Sequence, residues 1–195
     1  QALHRSFGTV VAPDQILMIL RALPTGERDL LLFYGREGDF VELTIPRAGI
    51  FRLASIGAID VLVTRLLEIL PIADRPFVPE GLVLSNAVVV QAFQLMMAGR
   101  MREAETLLTD SSSPDGTLAR YLVDVFAAAT FAGNITFVRS GQDGTTVSSD
   151  ITVIHSPDEV WSLLSHNGSD QMLAERTNAT VLRATLTQAL SPATV

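Results

Sequence analysis

The feature that most constrains this chain is an internal copy offset by 120 residues. Phe40–Leu70 slides onto Val160–Leu190 without a gap. Leu43 meets Leu163, Leu53 meets Leu173 and Ala54 meets Ala174. Val61, Leu62, Leu66 and Leu70 meet Val181, Leu182, Leu186 and Leu190. Each segment reads strand, turn, strand, amphipathic helix. The expected fold class is therefore α+β, with two pseudo-symmetric halves that superpose. Each half would be an antiparallel meander packed with a helix, and a helical segment would lie between them. Such a duplication describes a scaffold, and a scaffold points first to a binding surface.

Global numbers exclude several classes. With 195 residues the chain is long enough for a real core. It is 48% hydrophobic and 18% charged, which is not a disordered composition. The longest apolar runs, such as Leu30–Tyr34 and Val125–Ala129, fall far short of the roughly 20 residues that span a bilayer. No signal peptide is visible. Cysteine is absent, which removes disulfides, thiolate metal sites and cysteine nucleophiles and fits a cytosolic protein. A net charge of −7 opposes nucleic acid and anionic lipid. All 14 basic residues are arginine. They are scattered, which points to a GC-rich genome rather than to an anion site.

The spacing predicts the following order. Phe7–Val11 is a short strand, and Pro13 and Asp14 open a helix carrying Ile16, Leu17, Ile19 and Leu20, closed at Pro24-Thr25-Gly26. Strands at Leu30–Tyr34, Phe40–Ile45 and Ile50–Ser55 follow. Between them lie turns at Arg36-Glu37-Gly38-Asp39 and Pro46-Arg47-Ala48-Gly49. Val41, Leu43 and Ile45 share a face. A helix runs from Ile59 to Leu70, and Pro71–Pro79 is a connector. Ser85 or Asn86 caps a helix that reaches Ala98, with Gly99 at its end. Further helices are predicted over Arg100–Thr109 and Thr117–Ala132, the last closed by Gly133, with a loop at Ser111–Gly116. Strands over Asn134–Arg139, Thr152–His155, Val160–Ser165 and Gln171–Glu175 precede a helix at Ala179–Leu190.

No constellation carries recognisable chemistry. His155 and His166 could come together at the ends of adjacent strands, with Asp158 and Ser165 beside them. They show no metal-ligand spacing and no nucleophile motif, so the favoured reading is two turn-flanking histidines. Glu37 with Asp39, and Glu103 with Glu105, read as solvated acids. Gly141-Gln142-Asp143-Gly144 lacks the residues of a phosphate loop. The Asn-x-Ser/Thr triplets at Asn134, Asn167 and Asn178 are expected by chance in a Ser/Thr-rich chain. No catalytic residue, cofactor or metal is expected. Val88, Val89, Val90, Phe93, Met96 and Met97 form an apolar band that suits a core helix, or, failing that, a partner groove. Trp161 aligns with Val41, an interior sheet position.

This order resembles the EspG family of actinobacterial type VII secretion chaperones. The residues that carry the resemblance are Gly35-Arg36-Glu37-Gly38-Asp39 between strands, the helix Ile59–Leu70 running into Leu70-Pro71, and the closing strands followed by Val181–Leu190. The resemblance implies a single quasi-two-fold α+β domain over 1–195, with half one at 1–80 and the helical middle and half two at 81–195. It implies a cytosolic protein without catalytic residues. Such a protein binds PE–PPE-like helical heterodimers and keeps them soluble for export. Family members are longer, so a preceding segment is expected. The expected docking residues are Arg36, Glu37 and Asp39 as rim charges, and Phe93, Met96 and Met97 as apolar anchors. The alternatives are an enzyme or small-ligand domain with a site between the halves, and a structural interaction domain unrelated to secretion.

Overall fold

A computed structural model describes residues 2–22, 28–47, 50–70, 72, 74–76, 80–111, 116–140, 146–166 and 169–191. Among them are six helices and nine strands. Half one contains α1 (Ala2–Val11), β1 (Gln15–Ala22), β2 (Arg28–Arg36), β3 (Asp39–Arg47), β4 (Ile50–Gly57) and α2 (Ile59–Ile69). An insertion follows: β5 (Gly81–Ser85), α3 (Asn86–Met97) and α4 (Met101–Ser111). Half two contains α5 (Gly116–Ala127), β6 (Phe131–Ser140), β7 (Thr146–His155), β8 (Val160–His166), β9 (Gln171–Arg176) and α6 (Ala179–Leu190). The order helix, four strands, helix therefore occurs twice.

All nine strands form one antiparallel sheet, ordered β4-β3-β2-β1-β6-β7-β8-β9-β5. The halves meet where β1 pairs with β6, from Gln15↔Arg139 to Ala22↔Ala132. Within that seam Leu17 pairs with Phe137, a residue 120 positions further on, which is the offset of the sequence copy.

Alternation splits the core between the two faces. One face presents Leu17, Ile19, Leu31, Phe33, Ile135, Phe137, Ile151 and Val153. The leucine stripes cover it: Leu62, Leu66 and Leu70 from the end of half one, and Leu182, Leu186 and Leu190 from α6. Helices α2 and α6 lie side by side there. On the opposite face Leu82, Leu84, Ile154, Trp161, Leu163 and Ala174 pack under α3, α4 and α5. Trp161 is fully buried and its indole N–H donates to Glu159 Oε2 at 3.1 Å. Helix α1 packs on β2, β3 and β4 and contributes none of its described residues to the first core.

Helix ends follow the sequence closely. Ser85 Oγ accepts from the Val88 N–H and Asn178 Oδ1 from the Val181 N–H, so α3 and α6 have side-chain N-caps. Gly99 has φ 75° and ends α3. Its N–H reaches the Met96 carbonyl and the Arg100 N–H reaches the Leu95 carbonyl, a Schellman closure. Arginines on the sheet serve the C-termini of the two facing helices. Arg21 donates to the Ile69 carbonyl, and Arg139 to those of Ala189 and Leu190.

The first elements are the reverse of the expectation. Phe7–Val11 belongs to a helix and Gln15–Ala22 is a strand. Ile16–Leu20 is apolar at every position, so both periods fit it. Pairing on both edges decides the matter, with Leu17 and Ile19 fully buried. The Thr117–Ala132 helix is also shorter than expected, and Gly133 lies inside β6. There it makes room for an aromatic ring: a Cβ at Gly133 would stand 2.9 Å from Phe131 Cζ. Strand β5 was not anticipated, although Leu82 and Leu84 alternate with exposed neighbours. Strand β7 starts six residues earlier than Thr152. The turns at 24–26 and 141–144, residues 48–49 and 167–168, and much of the 71–79 connector and of the 111–116 loop lie outside the described residues.

Leu66 and Leu186 occupy matching places in one core and are both fully buried. Leu66→Ala and Leu186→Ala are each expected to cost about 2–5 kcal/mol, measured by urea unfolding.

Candidate functional site

The β2–β3 turn is built as the sequence suggests. Glu37 and Gly38 have φ 54° and 84°, the left-handed pair of a two-residue hairpin. The Glu37 N–H donates to Asp14 Oδ2 at 3.0 Å, which fastens the tip to the start of β1. Arg36, Glu37 and Asp39 are all exposed. Arg36 and Glu37 approach to 3.8 Å, a surface pair worth little.

Helix α3 lies elsewhere. It packs on β5, β9, α4 and α5. Six strand spacings separate β3 from β9, roughly 29 Å along the sheet. The structure therefore does not bring the turn charges and the α3 residues to one place. Met96 is 3% exposed and belongs to the core, which corrects its expected role as a surface anchor. Phe93 is partly buried, its ring 5.1 Å from that of Phe126. Met97 is 77% exposed.

The histidine pair is likewise separated. His155 pairs with Val160 at one end of β8, and His166 pairs with Ser149 at the other. Six residues of strand hold them roughly 20 Å apart. Among the described residues no His, Asp and Glu groups cluster in a way that could hold a metal ion.

Two cavities bear on the enzyme alternative. One, of about 110 Å³, lies at the seam between the halves and is lined by Gln15, Leu17, Phe137 and Arg139. Its single charged group is already bound to Gln15 and to the end of α6. The second, of about 120 Å³, is lined by Arg75, His155, Asp158, Glu159, Arg176 and Thr177. Three of its charged groups, Arg75, Glu159 and Arg176, have partners. Arg176 pairs with Glu159 at 2.6 Å and Glu80 at 3.4 Å and lies 4.8 Å over the Tyr121 ring. Arg75 donates to the Pro157 carbonyl at 2.6 Å. These contacts strap the connector to half two. Burial, and then the charge of Arg75, push the His155 pKa down.

The feature that stands out is an open stretch of sheet. On the face that α1 partly covers, Leu20 and Leu30 pair across β1 and β2. Alternation from the Leu43↔Leu53 pair puts Ile45 and Phe51 on that same face. Leu20, Leu30, Ile45 and Phe51 are 43–65% exposed. Behind them run Met18, Leu32, Leu43 and Leu53. With this exposure among the described residues, the row is the candidate interaction surface.

A register difference helps to create it. Leu43 pairs with Leu53, whereas its aligned residue Leu163 pairs with Ala174. Irregularities at Phe40/Val41 and Thr44/Arg47 bound the shifted stretch of β3–β4. A one-residue shift moves side chains to the other face. Leu53 thus sits with Leu43, while Leu173 sits with Leu164 on the α6 face. Neither exposure nor register leaves a trace in periodicity, so the sequence reading missed this row. The signal it offered was Leu20, Leu30, Ile45 and Phe51 recurring just before or after the turns of one meander.

No family model matches the chain, and no curated protein matches it in sequence. Its fold is similar to a solved structure, the Mycobacterium tuberculosis type VII secretion system chaperone EspG5 in complex with the PE25–PPE41 dimer. The TM-score is 0.69 at 11% identity, over 97% of this chain and 77% of that one. At that identity the likeness is one of fold.

Burial separates neighbouring methionines: Met96→Ala is expected to cost about 2–5 kcal/mol and Met97→Ala to leave the melting temperature nearly unchanged. The lowered His155 pKa also has a sign. The unfolded chain binds this proton more readily than the folded one, so stability is full above the ordinary histidine range and falls as pH drops through it. Glu175, whose pKa burial raises, contributes with the opposite sign near the carboxylate range. Between about pH 7.5 and about pH 5.5, urea midpoints should fall less for His155→Gln than for the unmodified chain.

Proposed function

We propose that this chain is a chaperone of the type VII secretion kind, which binds PE–PPE-like helical secreted proteins and keeps them soluble in the cytoplasm of an actinobacterium. The exposed apolar row Leu20, Leu30, Ile45 and Phe51 carries the reading. A protein that shields an aggregation-prone helical tip needs an apolar surface of its own, held on rigid strands rather than on loops. The likeness of fold to EspG5 supports it. So does the seam cavity, whose charged group is committed to structure. Among the described residues no helix is long and apolar enough to cross a membrane.

In this reading the chain acts as one unit over 1–195, with 1–80 as one half and 81–195 as the helical middle and the other half. The two halves share a continuous sheet, so the cargo meets one rigid floor. Arg36, Glu37 and Asp39 lie at the far end of β2 and β3 from Leu30 and Ile45, and act as steering charges rather than as the immediate border. Met97, with the edge of Phe93, is a second contact on α3 for a cargo that extends across the sheet.

Co-expression with PE–PPE-type heterodimers tests this. The heterodimer is expected to stay soluble and to co-elute with the chain in size-exclusion chromatography. Phe51→Asp and Leu30→Asp should abolish co-elution with little change in melting temperature, and Met97→Asp should weaken it less. Heterodimers that elute separately from the unmodified chain would overturn the reading.

A further inference from the structure

The open face has a floor of two chemistries. On β1 and β2 it is apolar, with Met18, Leu20 and Leu30. Across the seam it turns polar. Met18 faces Thr136, which faces Asp150; Leu20 faces Asn134, which faces Thr152. The four polar groups form a ladder. Thr136 Oγ1 stands 2.6 Å from Asp150 Oδ1 and 3.0 Å from Asn134 Oδ1, and the Asn134 amide donates to Thr152 Oγ1 at 3.0 Å. Beyond the ladder the face is again a closed core, beginning with Leu163.

Asp150 is only partly exposed, and no arginine pairs with it among the described residues. Thr136 satisfies one carboxylate oxygen, and the other is left without a partner there. A carboxylate with no paired cation is electrostatically complementary to an incoming positive group.

Two helices flank this floor. α1 centres on β3, and α5 packs on β7, β8 and β5. From β3 to β8 is five strand spacings, roughly 24 Å. Helices pack about 8–10 Å apart, so one further helix fits between these two walls. A second copy of this chain, at net charge −7, is a poor match for a floor that presents a carboxylate.

We propose that this face receives a single amphipathic helix of the partner protein. Its apolar stripe lies on Met18, Leu20 and Leu30, and a lysine or arginine on the adjoining flank reaches Asp150. The inference rests on the docking function above and adds what the partner helix must carry. The apolar row supplies burial and Asp150 supplies selection, because a glutamate in the same place would meet like charge across a partly desolvated floor.

Two fluorescent synthetic helices of about 20 residues test it, long enough to cross the face. They share one leucine stripe, with lysine in one and glutamine in the other at the flanking positions. Each is titrated by anisotropy against the unmodified chain, Asp150→Asn and Leu20→Asp, with melting curves to confirm folding. The lysine helix is expected to bind the unmodified chain about tenfold tighter. That preference should disappear in Asp150→Asn, and Leu20→Asp should lose both helices. Equal affinity of the two helices for the unmodified chain, or a preference that persists in Asp150→Asn, removes Asp150 as the selecting group. In that case, loss of binding in Leu20→Asp would still uphold the apolar docking surface. Binding of neither helix to the unmodified chain overturns the single-helix occupant.

Discussion

Everything in this fold depends on the pairing of β1 with β6. Each half brings four strands, and β1 and β6 would be open edges if the halves stood alone. An edge of that length, with Ile16–Leu20 on one side and Ile135–Val138 on the other, is a template for wrong association. Pairing the two strands along Gln15–Ala22 removes both edges at once. It also makes Leu17, Ile19, Ile135 and Phe137 the centre of a continuous floor, on which α2 and α6 close side by side. The arginines that reach the carbonyl ends of those helices, Arg21 and Arg139, are carried by the two seam strands themselves.

The interest of the structure lies in where its halves part company. Glu42 is buried in half one and pairs with Arg65 of α2 at 3.4 Å. The aligned residues in half two are Ser162, buried, and Thr185, so that ion pair has no counterpart. On the opposite face α3, α4 and α5 seal half two around Trp161. Half one has α1 there, and part of its sheet stays bare. A chain that duplicated its scaffold faithfully would have two closed faces or two open ones. The insertion on one side and the shifted register on the other leave one open face, and a directional binding surface follows from that asymmetry.

Charge is used sparingly around this surface. The strong contacts, Arg176 with Glu159 and Glu80, and Arg75 with the Pro157 carbonyl, tie the connector to half two and stand away from the apolar row. They hold the two halves' link in place, away from the apolar row. The exposed charges at Arg36, Glu37 and Asp39 sit on a hairpin tip pinned by Asp14.

Local chemistry was legible in the sequence. The Ser85 and Asn178 caps, the Gly99 terminus, the Glu37-Gly38 turn and the two leucine stripes each depend on residues within a few positions, and each is where the sequence puts it. The α+β class followed from the 120-residue offset, since a pattern that recurs must recur in structure to be buried twice. Gln15–Ala22 was not legible, because apolar residues at every position satisfy helix and strand alike, and two neighbouring strands made the choice. Nor was the candidate site. Met96 and Met97 are one residue apart and chemically identical, yet one is core and the other surface, a difference set by what packs against α3. Periodicity and local residue chemistry determined most of the elements and their caps, which act through near neighbours along the chain. The tertiary structure alone decided the seam, the register of β3–β4 and the open apolar row, because these depend on which distant strands meet and on which face no helix covers.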